Sequence, residues 1–200
     1  PNNPTSRLIP PDDLASILAW TRSHGVRVLV DEAFLELSIG GEAASALRHA
    51  EDCGTLAVVR ALTKSFCLPG LRLGYAICGA GQARSLRNSM VPWSVNSLGA
   101  QLGRIHHQES AYLRATAQWL AAEAPAFHKA LNAVPGLAAW EPESNFILAQ
   151  LVPGSGSALP GNARDLNAAL RNHGMVVRNA EGFRGLGPGW IRIVVRSAAD

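Results

Sequence analysis

Apolar residues along this chain fall into different textures that predict different elements. Leu14, Ile17, Leu18 and Trp20 recur at helical spacing, with Asp12 or Asp13 placed to cap the helix and Gly25 placed to end it. VRVLV (26–30), LAVVRAL (56–62) and LGYAICG (73–79) are continuous apolar, β-branched runs without alternation, the pattern of fully buried strands. A helical or loop segment fills the interval around 42–52. Buried strands alternating with helices predict an α/β domain with a largely parallel sheet. From about residue 80 the helical period dominates, in GQARSLRNSM (81–90) before Pro92 and in Ala-rich stretches at 96–108 and 110–134. Past Gly136, short strands are expected at 145–151, 175–178 and 190–195, with a helix near 163–173. VPGSGSALPGN (152–162) reads as a loop inside that second, smaller lobe, and the change of texture puts the lobe boundary at roughly residue 112.

Composition narrows the classes. Of 200 residues, 48% are hydrophobic, enough for one sizeable core or two small lobes, and the formal net charge is only +3. No basic stripe is present, so nucleic acid is not an expected partner. The three cysteines, Cys53, Cys67 and Cys78, are odd in number and lack C-x-x-C pairing, which argues against a disulfide framework or a zinc site and fits a reducing cytoplasm. No apolar run approaches the ~20 residues of a membrane span. The opening PNNPT reads as the middle of something longer, so the chain is expected to be a fragment.

Ligands of open α/β sheets collect at the carboxyl ends of strands. Asp31 directly follows VRVLV, Lys64 follows LAVVRAL by two residues, and Asn3 lies in a turn that a preceding strand would feed. Lys64 is one of only two lysines among eighteen Lys and Arg residues. An amine in apolar surroundings can deprotonate and form a Schiff base, which a guanidinium cannot. Arg72, beyond the Pro69-Gly70 turn, offers the fork that suits a phosphate. His106 and His107 lack metal-ligand spacing, and Glu32 points away from Asp31 along the strand, so these three are given structural roles.

PNNPT (1–5), DEAF (31–34), LTKSFCLPGLRLGY (62–75) and WIRIVVR (190–196) resemble, in order and spacing, the motifs of pyridoxal-phosphate enzymes of the aspartate aminotransferase fold type. The resemblance covers the whole chain. It implies a homodimeric enzyme whose large cofactor-binding domain includes residues 1–112, without its N-terminal part, followed by a small α+β C-terminal domain at 113–200. It implies that Lys64 bonds pyridoxal 5'-phosphate and later shuttles a proton at the substrate carbons. Asp31 would face the pyridinium nitrogen, Asn3 the ring's phenolic oxygen, and Arg72 the cofactor phosphate, with Thr63 a substitute for the hydroxyl missing at Ala61. Arg192 would hold the substrate carboxylate and Arg178 a substrate phosphate. Phe34 stands where many relatives carry a hydrogen-bonding Tyr.

Two subgroups fit these residues, histidinol-phosphate aminotransferases and threonine-phosphate decarboxylases. DEAF with Phe34, MVPWSVNSLGAQ (90–101) and IRIVVRSAAD (191–200) resemble the decarboxylases. That resemblance implies conversion of L-threonine O-3-phosphate to (R)-1-amino-2-propanol O-2-phosphate in cobalamin biosynthesis. The aminotransferase is the alternative activity, and a non-catalytic fragment a further alternative.

Overall fold

A computed structural model of the chain describes residues 1–50, 54–152, 154 and 156–197. Its packing divides into two compact units, Ile9–Ala117 and a second made of Pro1–Leu8 with Gln118–Asp200.

The Ile9–Ala117 unit opens with α1 (Pro11–Ser23). Pro11 occupies the first helical position, where its missing N–H costs nothing and its fixed φ is already helical. Asp12 and Asp13 therefore lie within the first turn, favourably placed against the helix dipole, and the expected aspartate cap is replaced by Pro10. Gly25, at φ 65°, supplies the left-handed residue that ends the helix. The strands β1 (Val28–Asp31), β2 (Leu56–Ala61) and β3 (Gly74–Cys78) form one sheet in that order.

β1 and β2 are parallel, with Asp31 opposite Val59. β2 and β3 are antiparallel, because residues 62–73 between them hold one helical turn, α2 (Leu62–Ser65), and one 3-10 turn rather than a long crossover. Leu14 and Leu18 of α1 pack with Ala46, Leu56 and Val58, and Val28 and Val30 join them. The expectation that VRVLV is fully buried fails. Val28 and Val30 face the core while Leu29 is 67% exposed, so β1 buries one face and obeys the two-residue side-chain period. Two 3-10 turns, Gly41–Ala44 and Ala46–His49, occupy most of the segment expected to be helix or loop. Then follow α3 (Ala80–Ser89), α4 (Ser97–Ile105) and α5 (Ser110–Asn132), the last running across the change of unit.

The second unit contains an antiparallel sheet, order β4 (Leu137–Ala139), β5 (Phe146–Leu151), β7 (Trp190–Val194), β6 (Arg178–Asn179). The three-residue β4 is too short to show any period and was not expected from the sequence. Helix α6 (Ala163–Arg171) starts at Asn162, whose side chain accepts from Asp165 N and caps it. Its Ala163 and Leu166 pack on Ala149, Leu151 and Ile191 of the sheet. Among the described residues no helix is long and apolar enough to cross a membrane. Cys67 and Cys78 are free thiols, and Cys53 lies outside the described residues, as do the last three positions of the IRIVVRSAAD motif.

Candidate active site

Asp31, Lys64 and Arg72 share one edge of the first unit's sheet. The parallel pair β1–β2 sends both carboxyl ends to that edge, and Asp31 is the last residue of β1. Lys64 sits three residues beyond Ala61, on the single turn of α2. Leu62 and Ser65 of that turn are each 2% exposed, so they anchor one side of it and leave Lys64 exposed and Thr63 half-buried. Ala61 pairs with Gly74, which brings the start of β3 to the same edge, and Arg72 lies just before it. A Cβ at Gly74 would stand 2.8 Å from the Arg60 carbonyl oxygen, so this close approach requires glycine. Arg72 itself adopts φ 50° and directs Nη1 to the Pro69 carbonyl at 3.0 Å.

The side chains around this edge are tied down locally. Asp31 Oδ1 accepts from Ala33 N at 2.9 Å. Lys64 Nζ lies 5.1 Å from the centre of the Phe34 ring, within cation–π range. Tyr112 Oη donates to the Ser65 carbonyl at 2.7 Å, and its ring stacks on Phe66. Glu32 is buried, as expected of a structural residue. It accepts from Ser45 Oγ, Ala46 N and Arg60 Nε, and Arg60 also forks onto Glu42. Burial works against the Arg60 charge, but the hydrogen bonds and charges of Glu42 and Glu32 outweigh it and raise its pKa. Asn96 caps α4 through Gly99 N and donates to the Leu71 carbonyl, so it braces the Arg72 turn. Trp93 is 97% exposed.

Asn3, Arg178 and Arg192 belong to the other unit. Arg178 and Arg192 stand directly opposite each other on β6 and β7. Arg192 Nη1 donates to Asn3 Oδ1 at 2.6 Å, and the guanidinium lies 5.0 Å from the centre of the Phe146 ring. Its Nε is buried without a hydrogen-bond partner among the described residues, and no acid there pairs with either arginine. Burial first, and then the Arg178 charge, lower the Arg192 pKa. Like charges placed opposite one another on a sheet are unfavourable by themselves. An unmet buried donor beside them is the kind of group that an anion would satisfy.

A family model for class I and II aminotransferases matches residues 1–200. The chain belongs to that family. Class I and II aminotransferases depend on pyridoxal phosphate, and a histidinol-phosphate aminotransferase from Sinorhizobium meliloti has been solved with that cofactor; it aligns with a TM-score of 0.77. Threonine-phosphate decarboxylase from Salmonella typhimurium is 33% identical over all of this chain and 52% of its own length. Histidinol-phosphate aminotransferase from Caldanaerobacter subterraneus is 29% identical over 99% of this chain and 51% of its own. Among solved structures, histidinol-phosphate aminotransferase from Clostridium acetobutylicum aligns with a TM-score of 0.89 at 24% identity, covering 99% of this chain and 57% of that one. L-threonine-O-3-phosphate decarboxylase from Porphyromonas gingivalis aligns at 0.85 with 23% identity, covering 100% and 58%. The chain spans about half the length of the curated relatives it matches.

The donor set suits the aminotransferase cofactor. Lys64 offers an amine, Asp31 a carboxylate with one oxygen left for a pyridinium, and Arg72 and Thr63 offer a guanidinium and a hydroxyl for a phosphate. In the other unit, the Asn3 amide accepts from Arg192 through Oδ1, which leaves its N–H groups as donors. Sequence reasoning missed Phe146 beneath Arg192, and Tyr112, which braces the lysine turn across 47 positions. A contact of that separation leaves no local spacing to read. His106 directs Nδ1 to the Gly103 carbonyl and packs its ring against Tyr75, in keeping with a structural role.

Proposed function

We propose that the protein to which this chain belongs is a pyridoxal-phosphate decarboxylase that converts L-threonine O-3-phosphate to (R)-1-amino-2-propanol O-2-phosphate, as in cobalamin biosynthesis. The observation that carries the proposal is the Arg178–Arg192 pair: two guanidiniums without acidic partners among the described residues, one with a buried unmet donor, suit a small substrate with a carboxylate and a phosphate. When bound, the cofactor supplies an electron sink for the bond broken at the substrate's α-carbon. Asp31 keeps the ring nitrogen protonated, Asn3 donates to the phenolic oxygen, and Arg72 with Thr63 holds the cofactor phosphate. Arg192 binds the substrate carboxylate and Arg178 the substrate phosphate. After CO2 leaves, Lys64 in its ammonium form donates a proton to the α-carbon and is left as the neutral amine. Residues 1–112 serve as part of the cofactor domain and 113–200 as the small domain of a cytoplasmic homodimer.

The likeness to histidinol-phosphate aminotransferases favours a second reading, transamination of histidinol phosphate. One experiment separates the two. The full-length enzyme is expected to release CO2 from L-threonine O-3-phosphate with no keto acid present. Lys64→Ala is expected to lose both the CO2 release and the visible absorbance of bound cofactor. Turnover that requires 2-oxoglutarate and histidinol phosphate would replace the decarboxylase with the aminotransferase.

A further inference from the structure

Residues 2–8 form a closed turn. Asn2 N donates to the Arg7 carbonyl at 2.8 Å, Ser6 N to the Asn2 carbonyl at 2.7 Å, and Thr5 Oγ1 to Asn2 Oδ1 at 2.8 Å. These bonds knit the segment, so a displacement at one end carries the other with it. Two further contacts fasten it to the residues just before β5. Ser6, fully buried, accepts through Oγ from both Glu143 N and Ser144 N at 2.8 Å. The Glu143 carboxylate accepts from Leu8 N and pairs with Arg7 at 3.2 Å. Ser6 adopts φ 67°, a left-handed conformation that residues other than glycine avoid. A strained residue whose hydroxyl meets two buried amides is held there by its surroundings.

What this fastening fixes is Asn3. Its Oδ1 accepts from Arg192 Nη1, and the Phe146 ring lies against the same guanidinium. Phe146 begins β5, two residues beyond Ser144, and Leu148 of β5 lies opposite Arg192 on β7. The turn, the start of β5 and the arginine strand thus form one frame around a single cation. We infer that Ser6 and Glu143 are positioning residues for Arg192: they clamp the 2–8 turn onto the start of β5 and so hold the Asn3 amide that aims the guanidinium. The inference rests on the reading that Arg192 binds the substrate carboxylate.

Full-length enzyme carrying Ser6→Gly tests it, because glycine accepts the backbone conformation while the hydroxyl is lost. KM for L-threonine O-3-phosphate, and its dissociation constant by calorimetry, are expected to rise about tenfold, since a small misplacement of a clamping group has effects of that order. The kcat is expected to change by less than about threefold, as for a lost binding interaction. Glu143→Ala should repeat the rise, and Glu143→Gln, which still offers Leu8 N an acceptor, should restore affinity. A fall in kcat with unchanged KM and affinity in Ser6→Gly and Glu143→Ala would mean a merely structural clip and overturn the inference. Arg192→Ala separates the two layers. If it weakens binding while the clamp variants do not, only the clamp falls; if it leaves binding unchanged, the carboxylate reading falls as well.

Discussion

Replacing Arg60 with methionine removes a shielded cation while keeping most of its stem, and the surroundings set the size of the effect. The Arg60 side chain is 10% exposed and that of Glu32 3%, with Arg60 Nη2 2.9 Å from Glu32 Oε2. Breaking a buried pair from one side costs about 3–5 kcal/mol, because the surviving charge is stranded. Glu32 keeps Ser45 Oγ and Ala46 N as donors, which places Arg60→Met near the lower end, at about 3 kcal/mol. Glu42 is 66% exposed, so Glu42→Gln should cost less than about 1 kcal/mol despite its fork geometry. The double variant Arg60→Met/Glu32→Gln strands no charge and should recover a large part of the loss. Urea unfolding of the full-length protein at fixed saturating cofactor, followed by far-ultraviolet circular dichroism, reads the difference. A loss of 3 kcal/mol moves the midpoint by about 1–3 M at ordinary slopes. An Arg60→Met midpoint no lower than that of Glu42→Gln would refute the reasoning, since burial would then not govern the strength of the pair.

Two further outcomes follow from single contacts. Gly74→Ala places a methyl 2.8 Å from the Arg60 carbonyl, and a backbone atom cannot swing aside. It should destabilise by about 1–3 kcal/mol and, because Gly74 pairs with Ala61 just before the lysine turn, slow reaction of Lys64 with an amine-directed reagent. Tyr75 has its pKa raised, first by burial, with Arg60 opposing and Glu36 and Glu42 adding to the rise. A raised acid pKa favours the fold below the unfolded value of ~10 and loses that contribution as pH climbs through the folded one. Tyr75→Phe should therefore show a shallower loss of stability above that pH than the wild type, with tyrosinate absorbance marking the window.

The apolar runs made the three strands of the first unit and most of the helices legible, since both rest on local periodicity. The misreadings have local causes too. An unbroken run such as VRVLV looks the same whether one face or two is covered, and only the exposed Leu29 tells them apart. A proline at the first helical position displaced the expected aspartate cap. Asp31 and Lys64 were legible because each follows a strand run, and Arg72 because a guanidinium beyond a Pro-Gly turn suits a phosphate; the sheet then brings all three to one edge. Ser6, Glu143, Phe146 and Tyr112 were not, because their partners lie far along the chain and an ordinary serine or glutamate carries no spacing signal. The Arg178–Arg192 register likewise needed the antiparallel pairing of β6 with β7 before it had meaning.

The bond from Arg192 to Asn3 joins positions 189 residues apart, within a unit whose pieces lie at both ends of the described chain. That order has a consequence for synthesis. On the ribosome, residues 9–117 are all available to one another early, whereas Asn3 must wait for the last strand before it meets Arg192. Closing a loop of that length costs on the order of 4–5 kcal/mol of chain entropy, beyond a constant term, if no other contact has shortened it. The early formation of the intervening unit brings the loop's ends nearer and lowers that cost. The arginine and the amide are therefore expected to meet as a late event in folding, after the lysine turn is already in place.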